Sequence, residues 1–506
     1  MIVINPDAAA FCRYAEAQGD AIFPLVFCAP VDNLFVWSAF ENIEQNSECA
    51  FLLESADVGK NSRYSYMGAS PRRLLTLQNG IFCVRDKDGK VIEEKPCADP
   101  LAELEKRMRP YLRAPVAELP PFLGGIVGYA GYDCARYYEP IGDENPDELG
   151  IPDMAWMETE TLLIFDHHRH NLYIVRNCRR EEGQGGWQKF YHSARRDAEQ
   201  LLAAAAKKPN APPPQIPHSN AAPPPLKTKS NFSRAEYCAA VERVKKHIAA
   251  GDIFQAVPSR RLSFAQPAPA FHLYRSLRRV NPSPYMFYFK CGGFVVAASS
   301  PELLASCENG KAMIRPIAGT RPRGKTAAED LRMEEQLRND AKERAEHLML
   351  VDLGRNDIGR VAKIGTVAVP PHKFCAMERY SHVMHMCSDV SGEMAAGKSA
   401  FDLARAAFPA GTLSGAPKVR AMQIINDIEP CKRNAYGGFA GFFGYDGNMA
   451  TCIVIRAMVI KDGVCYAQAG GGVVADSDPQ KEYEETESKA KAVLRAAQMA
   501  QAAPGE

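Results

Sequence analysis

Hydrophobic and polar positions change period along the chain, and those changes predict its elements. Between Arg72 and Ile92 the run RRLLTLQNGIFCVRDKDGKVI alternates short apolar stretches with QNG and DKDGK. Asn-Gly and Asp-Gly favour the left-handed backbone of tight turns, so both sites predict β-hairpins. FLLESADVG, LGGIVGYAGYD and TLLIFDHHRHNLYIV keep the same rhythm. The first 200 residues therefore predict a large antiparallel sheet with a few helices.

Beyond Phe232 a 3.6-residue period enters. SRAEYCAAVERVKKHIAAGD predicts an amphipathic helix capped by Ser233 and ending near Gly251. MEEQLRNDAKERAEHLMLVDLG predicts one long helix ending near Gly354. A last helix opens with Asp478 as cap and Pro479 as its first residue, burying Ala490, Val493, Leu494 and Ala497. GGFVVAASS, ATCIVIRAMVI and GVCYAQAGGGVV predict strands. Helices and strands do not alternate as βαβ units, so the fold class is α+β, with large interlocked antiparallel sheets and flanking helices.

One stretch has no apolar period at all. Leu201 to Phe232 is rich in Pro and Ala and predicts a surface linker. This divides the chain into an N-terminal domain (1–200), a linker (201–231) and a C-terminal domain (232–506).

Composition narrows the function classes. The 506 residues carry 61 Lys+Arg against 60 Asp+Glu, a net charge of +1 that gives no field for a polyanion. No apolar run reaches the ~20 residues of a membrane span, and the N-terminus lacks a signal-peptide pattern. Fifteen cysteines are scattered without a CxxC pair. Dispersed thiols without a secretion signal predict a reduced, cytoplasmic protein.

Candidate chemistry gathers in the C-terminal part. Glu482, Glu485 and Lys489 share one face of the last helix, either as a solvated face with a Glu485–Lys489 pair or as a site. Just before them, Gly470, Gly471 and Gly472 offer backbone N–H groups and close approach. Glu346 enters an apolar helical stretch, where it needs a cation: a neighbour such as Lys342, or a Mg²⁺ shared with Glu485. Arg456 lies in a run apolar on both faces, so it must meet an anion, either a protein carboxylate or a carboxylate ligand. Tyr436 stands in the Gly-rich RNAYGGFAGFFGYDG, packed or presenting its hydroxyl. In YSHVMHMCSDV, alternation puts Ser381, Val383 and His385 on one face and His382 on the other. A histidine at a site is the natural proton-transfer group near neutral pH.

Several chemistries are excluded. The chain has no G-x-S-x-G, no H-E-x-x-H and no P-loop. The nearest approach to a glutaminase elbow, Gly463–Ala467 (GVCYA), lacks its second glycine.

Eight ordered motifs, GDIFQAVPSRR, SSPELL, RPIAGTRPRG, EHLMLVDLGRND, FPAGTLSGAPKVRAM, GGFAGFFGYDGNM, CIVIR and QAGGGVVADSDPQKEYEETESKA, resemble those of the chorismate-utilising enzyme family from about Phe232 to Ala497. The resemblance implies that family's fold and, within it, the anthranilate-forming large subunits that open the tryptophan branch. It implies Mg²⁺ on Glu346 and Glu485, with Glu482 nearby. The enolpyruvyl carboxylate of chorismate would meet Arg456, Tyr436 and the Gly470–Gly472 amides. Gly319 and Thr320 would line the ring, with Thr412 close. Glu302 would be the general acid, His385 the proton-removing group and Lys489 a substrate-side cation. Gly471 stands where the family more often has Ala, and Ser488 where Asn is common.

Two positions separate reactions within the resemblance. Aminodeoxychorismate synthases, the alternative reading, typically carry Lys where this chain has Ala318. Isochorismate and salicylate synthases typically carry a Lys base where it has Gln255. Inert residues at both positions point to ammonia as the nucleophile. The resemblance therefore implies a separate glutamine amidotransferase subunit, and so a hetero-oligomer. It also implies a tryptophan inhibitor pocket at Ser55, Pro284, Tyr285 and Met286. A non-catalytic tryptophan-sensing subunit would be expected to lack Glu346, Glu482 and Glu485, and all three are present.

Overall fold

Asn79 and Gly80 take φ of 51° and 75° between the strands Arg73–Gln78 and Ile81–Asp86. These are the left-handed values that a two-residue hairpin requires. The structure, a computed structural model, describes residues 3–17, 21–31, 34–56, 63–108, 119–207, 225–379 and 383–502. The α+β expectation holds. Among the described residues the strands form a twelve-stranded and a ten-stranded sheet, with two smaller ones.

Both large sheets draw strands from each half of the chain. In the larger, Cys49–Glu54 pairs antiparallel with Tyr285–Cys291. That strand continues through Phe294–Ser300, Ala457–Lys461, Val464–Gly470 and Ser259–Ala265. In the smaller, Leu303–Glu308 leads through Met449–Ile453 and Phe439–Gly444 to Gly125–Ala130. Each half thus covers strand edges that the other would leave unpaired.

The strands' period of two builds the layers. Phe287 and Phe289 point into a core between the sheets with Phe51, Val127 and Ala440. Met286 and Tyr288 point outward, beneath Phe40, Phe271, Leu277 and Val493 of covering helices. The ten-stranded sheet turns Leu304, Ile126 and Trp156 outward against Val351, Ile358 and Phe401. Two sheets packed face to face between helical layers result, each buried large side chain contributing about 1.5–3 kcal/mol.

Three expectations need correction. The long helix is two, Ala327–Asn339 and Ala341–Gly359. Asp340 breaks it because its extended backbone lets its carboxylate cap the N–H groups of Lys342 and Glu343. The second helix continues past Gly354, which is buried against Val390 and Pro316. ATCIVIRAMVI is likewise two strands, Met449–Ile453 and Ala457–Lys461, in different sheets. The helix Trp187–Ala205 runs into the stretch expected as linker, Lys229–Ser230 pairs with Ser263 and Leu262, and residues 208–224 lie outside the described residues. The Ser233 cap and the Asp478–Pro479 start stand as expected.

Among the described residues no helix is long and apolar enough to cross a membrane. All 15 cysteines are free thiols.

Candidate functional site

The chain passes from one large sheet to the other at Val454–Arg456, and Arg456 takes φ of 51° at that corner. Its carbonyl accepts the Ser299 N–H at 3.2 Å. Among the described residues no carboxylate lies within ion-pair distance of its guanidinium. Burial pulls its pKa down, against the opposing influence of Tyr436, Glu302 and Glu485. Among the described residues, therefore, Arg456 forms no ion pair with a carboxylate, the alternative that leaves a guanidinium able to take an anionic ligand. Tyr436 is buried beside it, and burial pushes its phenol up to about 12, keeping it a neutral donor.

Glu302 follows the strand Phe294–Ser300. It accepts a hydrogen bond from Thr412 Oγ1 at 2.9 Å. Burial raises its carboxyl to about 7, while Thr412, Arg456 and Lys489 act in the opposite direction. A carboxyl near 7 can hold a proton and give it up at neutral pH.

Glu346 lies on Ala341–Gly359, and Glu482, Glu485 and Lys489 on Pro479–Ala502. Lys489 Nζ bridges Glu485 Oε1 at 2.7 Å and the Gly470 carbonyl at 2.9 Å. Lys342 pairs with Asp476 at 3.4 Å and not with Glu346. Burial raises the pKa of Glu346, and the nearby Glu343 and Glu485 add to that rise. Burial also raises Glu482, again with Glu485 adding. Ser477 Oγ donates to Glu482 Oε1 at 2.7 Å, while Oε2 is buried without a hydrogen-bond partner. Crowded carboxylates with an orphaned buried oxygen fit a hard divalent cation. Among the described residues no three acidic, His or Cys side chains suffice alone to hold a metal. Mg²⁺ characteristically completes its shell from water and substrate oxygens.

The three glycines are not equivalent. Gly471 N–H donates to the Pro258 carbonyl at 3.3 Å, so that amide is not offered to a ligand as expected. A Cβ on Gly471 would stand 2.6 Å from Glu482 Oε2, and one on Gly472 2.5 Å from Gln255 Nε2. The backbone here leaves room for those side chains.

A small sheet, Ile317–Pro322, Val383–Cys387 and Ala376–Arg379, packs as a wall beside the helix of Glu346, with His385 in electrostatic reach of Arg456. Ser381 and His382 lie outside the described residues. Gly319 sits at a bulge with φ of 67°, where a Cβ would meet Leu337 Cδ1 at 2.6 Å. Thr320 Oγ1 is 3.2 Å from His385 Nδ1, which in turn is 3.0 Å from the Gly319 carbonyl. A carbonyl can only accept, so Nδ1 carries the proton and the lone pair falls on Nε2. Burial lowers the His385 pKa, favouring the neutral ring. The arginines of this stretch are structural ties: Arg321 to Asp340 and Glu343, Arg323 to Asp330, and Arg315 to Asp389. Ala318 is buried opposite Met386.

Ser55, Pro284, Tyr285 and Met286 meet at a second cavity of about 940 Å³ between the sheets. Sequence reasoning missed Glu54 there, a buried carboxylate receiving the Tyr274 hydroxyl at 2.8 Å. Its signal was an acid closing the apolar strand CAFLLE.

A family model described as chorismate binding enzyme matches residues 84–495. Anthranilate synthase component 1 of Thermus thermophilus is 44% identical over 468 residues, spanning 92% of this chain and 96% of that protein. The probable anthranilate synthase component 1 of Schizosaccharomyces pombe is 42% identical over 490 residues, 96% of this chain and 95% of its own. The crystal structure of anthranilate synthase component I from Streptococcus pneumoniae superposes with TM-score 0.73 at 35% identity, covering 85% of this chain and 92% of that one. The menaquinone-specific isochorismate synthase of Escherichia coli shares the fold, with TM-score 0.68 at 17% identity over 97% of this chain and 98% of its own.

Proposed function

The chain belongs to the chorismate binding enzyme family, and from that premise we propose that it is the large subunit of an anthranilate synthase. In this reading it converts chorismate and ammonia to anthranilate and pyruvate, a lyase reaction. The observation that carries it is Arg456, a half-buried cation with no ion-pair partner among the described residues, within electrostatic reach of Tyr436 and of a Glu302 carboxyl raised to about 7.

Arg456 and Tyr436 bind the enolpyruvyl carboxylate, the guanidinium in the bidentate geometry it favours. Glu346 and Glu485, with Glu482 nearby through water, would hold Mg²⁺, which supplies a cation to neutralise the substrate's other carboxylate. Ammonia forms the bond to C2 while the C4–oxygen bond breaks, and Glu302 protonates the departing hydroxyl. His385 Nε2 then takes the C2 proton as the C3–oxygen bond breaks with its electron pair, so that the ring becomes aromatic and the enolate of pyruvate leaves, taking up a proton at its methylene carbon to give pyruvate. Ala318 has no amine to compete with ammonia at C2. Lys489 balances the carboxylate cluster on the substrate side.

Ammonia comes from a partner glutamine amidotransferase in this reading, since the chain has no glutaminase elbow. The cavity at Ser55, Pro284, Tyr285 and Met286 takes tryptophan as feedback inhibitor, consistent with a first step of tryptophan synthesis. Free thiols throughout fit a cytoplasmic setting.

The test is purified chain with chorismate, Mg²⁺ and an ammonium salt, monitored for anthranilate fluorescence. A product that becomes aromatic only after a separate lyase is added would overturn this reading in favour of an aminodeoxychorismate synthase.

A further inference from the structure

His347 adjoins Glu346 on Ala341–Gly359 but takes no part in the chemistry above. It is 0% exposed. Its Nε2 lies 2.6 Å from Ser388 Oγ, and its Nδ1 is buried without a hydrogen-bond partner. A fully buried imidazole with half its polar capacity unmet is costly unless its remaining bond does something the fold needs.

Ser388 stands at a junction. Its Oγ accepts the Cys375 N–H at 3.0 Å, and its own N–H donates to the Pro316 carbonyl at 3.1 Å. Pro316 opens the strand that carries Gly319 and Thr320, Cys375 precedes Ala376–Arg379, and Ser388 follows the strand that carries His385. One residue, through its backbone N–H and its hydroxyl, therefore ties all three strands of the small wall at their common end. The His347–Ser388 bond is a buried hydrogen bond from that end to the helix of Glu346, beside the packing of Gly354 on Pro316. The ion pairs between wall and helix among the described residues, Arg321 to Asp340 and Glu343, are partly exposed and lie at the helix start. Exposed pairs of that kind contribute little.

We propose that His347 is a positioning residue whose hydrogen bond to Ser388 sets the separation between the Glu346 carboxylate and the His385–Gly319–Thr320 wall. The two sides of the cleft sit on different elements, and an error of about 1 Å in such a pairing costs on the order of 100-fold in rate. The inference rests on the proposed reading of the cleft.

The experiment compares H347L, H347Q, S388A and the double variant H347L/S388A in the full chain. Glutamine can place an amide nitrogen near the position of Nε2. Thermal melting establishes that each variant is folded. Mn²⁺ binding is read by electron paramagnetic resonance, and anthranilate formation gives kcat and KM separately. H347L and S388A should each weaken Mn²⁺ binding and lower kcat/KM on the order of 10–100-fold, mainly through kcat. H347Q should recover to within about 5-fold, and the double variant should be no worse than H347L, the sign of one shared bond. Folded H347L and S388A with unchanged Mn²⁺ binding and kcat would overturn the proposal, as would additive losses in the double variant. If H347L does not fold, S388A decides: unchanged Mn²⁺ binding and kcat in folded S388A overturn the proposal, and a loss with H347Q near wild type supports it. A wild-type chain that binds Mn²⁺ but makes no anthranilate would sink the proposed function instead. The coupling between His347 and Ser388 would then still be judged by Mn²⁺ binding.

Discussion

Thr412 Oγ1 donates to Glu302 Oε1 at 2.9 Å, and it is one of three influences that oppose the upward push of burial on that carboxyl. A general acid works only while protonated, so activity should fall as pH rises through about 7. Thr412→Val removes a bond to the charged form and should move that falling limb of kcat/KM upward by about one unit. A pH–rate profile of both proteins checks this. Stability follows the same sign: with the folded pKa above its ordinary 4.5, the Glu302 contribution is complete below that value and is lost as pH rises through about 7.

Glu485 pairs with Lys489, while Glu482 keeps a buried oxygen without a partner. Glu485→Gln and Glu482→Gln should both lower Mg²⁺-dependent turnover, Glu485→Gln by at least about 100-fold, because a cation site loses part of its charge. Calorimetric Mg²⁺ titration should show the weakening directly. Full activity in a folded Glu485→Gln variant would defeat the metal assignment.

Arg456→Lys keeps the charge but gives up the planar fork. The expected result is a chorismate KM raised about 10–100-fold, equivalent to one lost charged hydrogen bond of about 1.5–3 kcal/mol. Steady-state kinetics reads it.

Gly319→Ala puts a Cβ at φ of 67° and 2.6 Å from Leu337 Cδ1. The left-handed backbone alone costs about 1–2 kcal/mol, which in a chain of this size lowers the melting temperature by about 1–2 °C. The carbonyl that orients His385 would shift with it, and turnover should fall too.

Glu54 lines the second cavity as a buried carboxylate near Arg278 at 3.4 Å. An amino-acid inhibitor brings an ammonium that would pair with it. Glu54→Gln should weaken tryptophan inhibition about 10-fold or more while leaving uninhibited turnover close to wild type. An inhibition curve in anthranilate production tests both halves of that statement.

What the sequence determined by itself was local. Asn79-Gly80, Ser233 and Asp478-Pro479 worked as punctuation because turn and cap geometry depends on a few adjacent residues. The candidate site residues were legible for a related reason: their motifs are short, ordered and chemically constrained. Local pattern misled where tertiary demands prevailed. Asp340 interrupts a continuous helical period because its carboxylate caps the second helix and also ties Arg321. Arg456 interrupts a continuous apolar run because the chain changes sheets there, and the buried positions on either side look alike from the sequence.

Only the tertiary structure decided which partners the charges took. Lys342 and Glu346 are four apart on one helix, yet Lys342 pairs with Asp476, 134 residues away. The arginines beside Ala318 could have met a ligand, and instead tie a strand to two helices. Pairing across elements depends on distances that spacing along a chain does not encode. For the same reason His347 and Ser388, 41 residues apart and unremarkable in the sequence, become a single buried contact only once the wall and the helix are packed together.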